Sequence, residues 1–367
     1  MTEKLPGNSD GDDYGMIRRL KPVKILLPVL IGLGVVLWFI LKDVNLDSLK
    51  EITFTWESAF WLFVAILFVL IRTFGYMARI RSITGNNISW LQSLRIILLW
   101  EFTSAITPST VGGTAFAVIF LNKEGISAGK SASAILLTSF LDELYFIIMF
   151  PLLLILIDWK SIFITSFQSA GTEIMNNLVV VAFIGYAIIL AWVLFVGYGL
   201  FIRPQAIKKS LIFIVRIPFL RKWHNSAVKA GDDIVNASDE LKDQSFSFWW
   251  SASFYTFISW TARYLTVNAI LLAFFKVSDH LLIFARQLVL WIMMIVSPTP
   301  GGAGFAELIL GRYISDLIPV DQVHAQGISI AMALIWRVIS YYPFLLAGII
   351  ILPAWVSSKF IHKRTGK

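Results

Sequence analysis

The chain has no cysteine among its 367 residues, which excludes disulfides, thiolate metal sites and cysteine nucleophiles. Charge is scarce as well: 15% of residues are Asp, Glu, Lys or Arg, against about a quarter in a soluble globular domain. There are four histidines, His224, His280, His324 and His362, all in loops or at the ends of apolar stretches and none in metal-ligand spacing. H-E-x-x-H, P-loop and G-x-S-x-G motifs are absent, and no basic motif accompanies a nucleic-acid-binding module. These gaps argue against an enzyme, a metal, a cofactor or a nucleic-acid partner.

What is present is apolar. Hydrophobic residues make up 57% of the chain and the mean hydropathy is +0.75, the composition of an all-α polytopic membrane protein. A spanning helix needs roughly 20 apolar residues. Six stretches qualify, at 24–41, 58–80, 131–157, 177–201, 248–275 and 326–352. Residues 1–23 read as a polar tail and not as a cleaved leader, since no A-x-A pattern follows the first apolar run. The division expected is a tail at 1–23, one membrane domain at 24–355 containing a basic loop at 202–247, and a basic tail at 356–367.

Two further apolar stretches, 91–122 and 281–314, are interrupted by nearly the same phrase: Thr107-Pro-Ser-Thr-Val-Gly-Gly-Thr-Ala-Phe-Ala117 and Ser297-Pro-Thr-Pro-Gly-Gly-Ala-Gly-Phe-Ala306. Proline removes a backbone donor and glycine weakens helix. Each stretch is therefore expected to fold as a re-entrant helical hairpin. Pro108, Pro298 and Pro300 would hold the breaks, while Gly112, Gly113, Gly301 and Gly302 would let backbone approach a ligand or a neighbouring helix. In lipid, broken backbone survives only under a cover of protein or water.

The likeness extends beyond the phrases. At a constant offset of 191, Arg72 matches Arg263, Ala78 matches Ala269, Arg95 matches Arg286 and Trp100 matches Trp291. Halves at about 58–157 and 248–352 would then run in opposite senses, an inverted-topology repeat of the kind that places transporter sites at the midplane. The tail, the 79–95 region (Arg79, Arg81, Arg95), the 202–247 loop and the C-terminus are basic, so positive-inside puts both termini in the cytoplasm. The 202–247 segment reads either as a linker or, around Leu211–Leu220, as an interfacial helix on anionic headgroups.

Charges at membrane depth are costly and mark function or internal pairing. Seven are singled out as candidate substrate-binding residues: Arg72, Arg263, Arg337, Glu101, Asp142, Glu143 and Glu307. One reading pairs them as internal salt bridges. The other leaves an arginine, Arg263 or Arg337 first, to grip an anionic headgroup, because its fork suits phosphate. Asp142 and Glu143 are adjacent on a helix and do not face each other, so a proton-relay role suits one of them better than paired acid–base chemistry.

With these residues in place, the chain resembles the lysylphosphatidylglycerol synthase transmembrane-region family. The resemblance rests on Pro108…Gly112-Gly113, on Ser297-Pro-Thr-Pro-Gly-Gly-Ala-Gly-Phe-Ala-Glu307, on Arg337 with Tyr341-Tyr-Pro-Phe344 and Gly348, and on Arg72…Arg79-Ile-Arg81, and covers about 24–352. It implies a flippase-like domain of a bacterial inner membrane that moves anionic or polyprenyl-linked lipids between leaflets. Larger relatives carry a fused cytosolic synthase or glycosyltransferase, for which the soluble segments here are too short. Two alternatives stand beside the flippase: a non-transporting scaffold docking a partner enzyme, and an intramembrane transferase acting on a lipid phosphate through Asp142, Glu143 or Glu307. An apolar helix face would suit a homo-oligomer as well as lipid.

Overall fold

The structure, a computed structural model, describes residues 53–107, 110–163, 172–217, 221, 224–294, 300–302 and 304–361. The expected tail at 1–23, the span at 24–41, Pro108 and Pro298 lie outside them, as does the end of the C-terminal tail. The described chain is helical and contains no strand. Four of its helices are long and apolar enough to cross a membrane: α1 (Trp56–Ile83), α4 (Ala128–Leu156), the second part of α6 (Thr172–Gly197) and a kinked pair at the C-terminus. The protein is an all-α polytopic membrane protein. Its outward faces carry large apolar side chains, such as Phe63, Leu70 and Phe74 on α1 and Phe183, Ile188 and Leu194 on α6, which water would penalise and lipid accepts.

Helix α9 (Phe246–Leu272) is as long as the others, but the face it buries carries Thr256, Ser259, Tyr264, Thr266 and Asn268. Through Thr256 and Ser259 it lies along α1, the most extensive helix pairing among the described residues. The Ser259 hydroxyl donates to the Arg72 carbonyl at 3.2 Å and ties the two at mid-length. In membranes small polar residues at such seams supply hydrogen bonds where hydrophobic driving force is missing.

The two interrupted stretches form antiparallel helix pairs. The first is α2 (Trp90–Ile106) with α3 (Thr110–Lys123). The second is α10 (His280–Met294) with α11 (Phe305–Ile314). At ~1.5 Å per residue their lengths of 17, 14, 15 and 10 residues fall short of a ~30 Å hydrocarbon core. Gly112 and Gly113 are not in the break, as the sequence suggested, but in the first turn of α3. There Gly113 sits so close to α2 that a Cβ would meet the Ser104 Cα at 2.8 Å. The second phrase is a true turn, with Gly301, Gly302 and Gly304 all at positive φ, a conformation that costs glycine little.

An arginine–carboxylate pair closes the open end of each hairpin. Arg95 near the start of α2 holds Glu124 just past α3, and Arg286 near the start of α10 holds Asp316 just past α11. The two open ends lie at opposite ends of the protein. Glu124 also binds Lys359 and Trp355 from the C-terminal end of the chain, whereas Arg286 binds the Ser161 carbonyl of the short α5 (Trp159–Phe163).

One expectation needs correction. The 202–247 segment is not a loop: α7 (Pro204–Ile214) and α8 (His224–Lys242) pack on each other, and α8 packs on α4. The span expected at 326–352 is present, long and apolar enough to cross, as two helices, α12 (Gln322–Ser340) and α13 (Tyr342–Val356), which meet at Tyr341. Pro343 in the first turn of α13 has no N–H to continue the ladder.

Candidate functional site

The interior of the bundle holds a run of ionic and aromatic side chains from α1, α2, α4, α9, α12 and α13. Arg72 is almost fully buried and donates to Glu101 of α2 at 2.5 Å, with the Phe344 ring 4.8 Å from its guanidinium. Two turns further along α1, Arg79 donates to both oxygens of Asp142 on α4 and to the Thr256 hydroxyl. The Trp260 indole adds a third donor to Asp142 at 2.7 Å. Arg79 is thus buried structure. The sequence suggested a loop charge reporting topology, because Arg79 stands two residues from Arg81 at the end of an apolar run.

The third ion pair belongs to the second Pro/Gly turn. The Arg337 Nε on α12 lies 2.8 Å from Glu307 on α11, held by charge and not by a directed hydrogen bond. The Arg337 Nη2 donates to the carbonyls of Gly301 and Gly302 at 3.1 and 3.2 Å. Beside it the Tyr341 hydroxyl donates to the Ala105 carbonyl near the end of α2. A Cβ on Gly301 would meet that hydroxyl at 2.6 Å and the Ala105 carbonyl at 2.8 Å. The second turn and the inner end of α2 therefore touch, backbone to backbone, in the middle of the protein.

Of the seven candidate residues, five are engaged: Arg72 with Glu101, Arg337 with Glu307, and Asp142 with Arg79. Two form no ion pair among the described residues. The Arg263 guanidinium lies over Trp291 at 4.2 Å and Trp260 at 5.1 Å, shares a hydrogen bond with the Tyr76 hydroxyl, and feels the Glu101 carboxylate that Arg72 holds. Among the described residues Glu143 meets neither a cation nor a hydrogen-bond partner, and its Oε2 is closed off. The 191-residue offset explains the contrast between the arginines. Glu101 follows Trp100, and the residue following Trp291 is Ile292, so the second arginine meets the tryptophan without the acid.

The charge balance follows. Arg72, Arg79 and Arg263 face Glu101 and Asp142, one positive charge in excess when Glu143 is neutral. The side chains of Glu101 and Asp142 are 24% and 20% exposed and Arg263 also keeps accessible surface, so the cluster is not fully sealed. Tyr76 and Trp260, which bridge these charges, escaped sequence reasoning. Their only signal was aromatic placement one turn from an arginine.

Comparison with known proteins bears on this arrangement. The family model described as "Lysylphosphatidylglycerol synthase TM region" matches residues 25–348. A UPF0104 membrane protein of Archaeoglobus fulgidus is 26% identical over 336 residues, covering 89% of this chain and 92% of the relative. No solved structure matches.

Proposed function

The chain belongs to the lysylphosphatidylglycerol synthase TM-region family, and from that premise we propose that it is a flippase binding an anionic lipid headgroup at Arg263. The carrying observation is that cation: inside a lipid-facing bundle, partly accessible, stacked on two indoles and sharing with Arg72 a carboxylate, Glu101, that Arg72 already holds. An uncompensated charge at such depth is expensive, and a phosphate is the ligand that a guanidinium fork recognises best. The acyl chains would stay in the bilayer. The role is transport without catalysis, since the cluster's carboxylates are tied to arginines or face no activating partner.

The two hairpins support an inverted-topology repeat with re-entrant arms. They open at opposite ends, they are shorter than a span, and their inner ends touch through Ala105, Gly301 and Tyr341. A basic end formed by Arg81, Arg95, Lys359 and the α7–α8 pair would face the cytoplasm of a plasma membrane. The exposed Phe213, Ile214 and Ile217 at the tip of α7 favour a second reading, in which that pair docks an enzyme acting on lipids.

The test is translocation in proteoliposomes containing headgroup-labelled phosphatidylglycerol, with outer-leaflet label quenched chemically. Quenching beyond half, lost in Arg263→Ala, is the expected result. Quenching that stops at half with folded wild-type protein, for anionic and polyprenyl lipids alike, would sink the flippase reading. Loss of a partner enzyme from pull-downs on deleting 204–242 would then favour the scaffold.

A further inference from the structure

Away from the ionic cluster, one surface combines exposed apolar side chains with charge of a single sign. From Ile174 to Gly231 the sequence contains seven Lys and Arg and no Asp or Glu. Helix α7 lies within this stretch. Phe213 and Ile214 at its end, and Ile217 just beyond, are 71%, 51% and 54% exposed, while its opposite face buries Pro204 and Ile207. Lys209, Arg216 and Arg221 are exposed around the tip. Among the described residues Asp232 of α8 holds Lys208, and no acid holds those three. Val215, Arg216, Arg221 and His224 line a crevice of about 500 Å³ beside the apolar side chains, so two guanidinium forks stand on one opening.

The backbone keeps this tip close to the membrane. The apolar span that contains α6 runs to Ile202 and ends in a π-helical turn, Tyr198–Ile202. Arg203 (φ −140°, ψ 76°) breaks the helix there. Ile207 then packs so tightly on Gly199 that a Cβ on the glycine would meet the Ile207 Cγ1 at 2.4 Å. Eight residues of straight helix would hold the two about 12 Å apart. Helix α7 therefore folds across the end of the span instead of running on into water. Helix α8 backs it, for Ile207 shares an apolar core with Ile234 and Leu241 of α8, Leu141 of α4 and Val196 of α6.

Three neighbouring large apolar side chains left open mark a contact surface. The scaffold reading gives that surface to an enzyme, but charge and position favour lipid. A run of cations without a single acid is drawn to anionic headgroups, and an amphipathic helix folded across the end of a span lies where headgroups meet acyl chains. We propose that the tip of α7 is a binding surface for anionic lipid. Phe213, Ile214 and Ile217 enter the boundary between headgroups and acyl chains, and Lys209, Arg216 and Arg221 hold lipid phosphates. The surface gathers anionic lipid around the protein, whatever the bundle does with it.

The absence of cysteine lets Phe213→Cys carry a single environment-sensitive nitrobenzoxadiazole label. Its emission is read in nanodiscs of phosphatidylcholine alone and of phosphatidylcholine with phosphatidylglycerol. With phosphatidylglycerol the emission should shift to the blue, be quenched by spin-labelled lipid and be shielded from iodide. Salt at 1 M, where the Debye length is about 3 Å, should reverse the shift. Lys209→Gln, Arg216→Gln and Arg221→Gln should each lower the ratio of inserted to free tip about fivefold. A label on Phe63→Cys, on the lipid-facing side of α1, supplies the fully inserted value. Ile217→Cys is the second probe should Phe213→Cys protein fail to fold. A label equally open to iodide in both membranes overturns the proposal and leaves the tip to a soluble partner. Insertion that ignores both phosphatidylglycerol and the three cations overturns it as well, since the surface would then bind lipid without regard to charge. Neither Arg263 nor transport enters this measurement, so a failed translocation assay leaves the lipid surface standing.

Discussion

Arg72 and Arg263 occupy matching places on α1 and α9 and should answer substitution in opposite ways. Arg72→Ala takes from Glu101 its hydrogen-bonded cation and leaves it only the farther Arg263, and breaking a buried pair costs about 3–5 kcal/mol; a marked fall in melting temperature in detergent is expected. Arg263→Ala leaves Glu101 paired with Arg72 and gives up a hydrogen bond to Tyr76 and cation–π contacts worth roughly 1–2 kcal/mol, so the protein should fold and lose transport. Arg337 belongs with Arg72. Its substitution by Ala should leave Glu307 and two glycine carbonyls unpaired, and Lys, a point charge without the fork, should restore less than half of the lost stability. Depth was legible in the sequence for all three arginines, because apolar runs surround them. Partnership was not. Arg79 looks like a loop charge, and nothing local says that Asp142 stands opposite it on another helix.

Among the elements, the Pro/Gly segments were legible as interruptions but not as geometry. Proline and paired glycines announce a break wherever they fall, yet Gly112 and Gly113 are helical, Gly113 serves close packing on α2, and only the second pair forms a left-handed turn. Gly301→Ala should therefore cost more than the ~1 kcal/mol typical of an L-residue forced to positive φ, since its methyl would also strike Tyr341 and Ala105. Thermal melting of the variant against the wild type checks the cost. The helices α7 and α8 were missed for a different reason: α8 is too polar to look like a span, and its amphipathic face is visible only once α4 is there to receive it.

The latch at the end of α13 carries a pH prediction at the same scale. Burial alone would raise the Glu124 carboxyl, but hydrogen bonds from Lys359, Trp355 and Gln92 outweigh it and hold the group below the usual carboxylate range. On acidification the unfolded chain then protonates before the folded one. The latch's contribution is full above about pH 4.3, the ordinary glutamate value, and fades as pH falls through the lower folded value. The melting-temperature gap between wild type and Glu124→Gln should be constant at neutral pH and shrink below about pH 4.

At the scale of the whole molecule, the absence of cysteine makes the architecture directly testable, because every introduced thiol is the only one. If the halves are inverted, the hairpins open on opposite faces of the membrane. Cysteines at Asn87 and Ser127, flanking α2 and α3, should react with an impermeant reagent from one side, and cysteines at Asp279 and Pro319, flanking α10 and α11, from the other. All four are exposed positions. A common side for all four would remove the inverted repeat and with it the meeting of two arms from opposite leaflets. A cysteine at Thr107, at the inner end of α2, separates re-entrance from crossing. A re-entrant tip covered by the Gly301–Tyr341 contact should resist the reagent from both sides, whereas a crossing pair would present it on the face opposite Asn87. The same thiols yield the orientation. The basic residues around Asn87 and Ser127 are drawn to the cytoplasmic leaflet, so these two sites should be silent in intact cells and react once the membrane is opened. Arg263 would then stand between two arms that close the bundle from opposite leaflets, the placement that alternating access to one headgroup site requires.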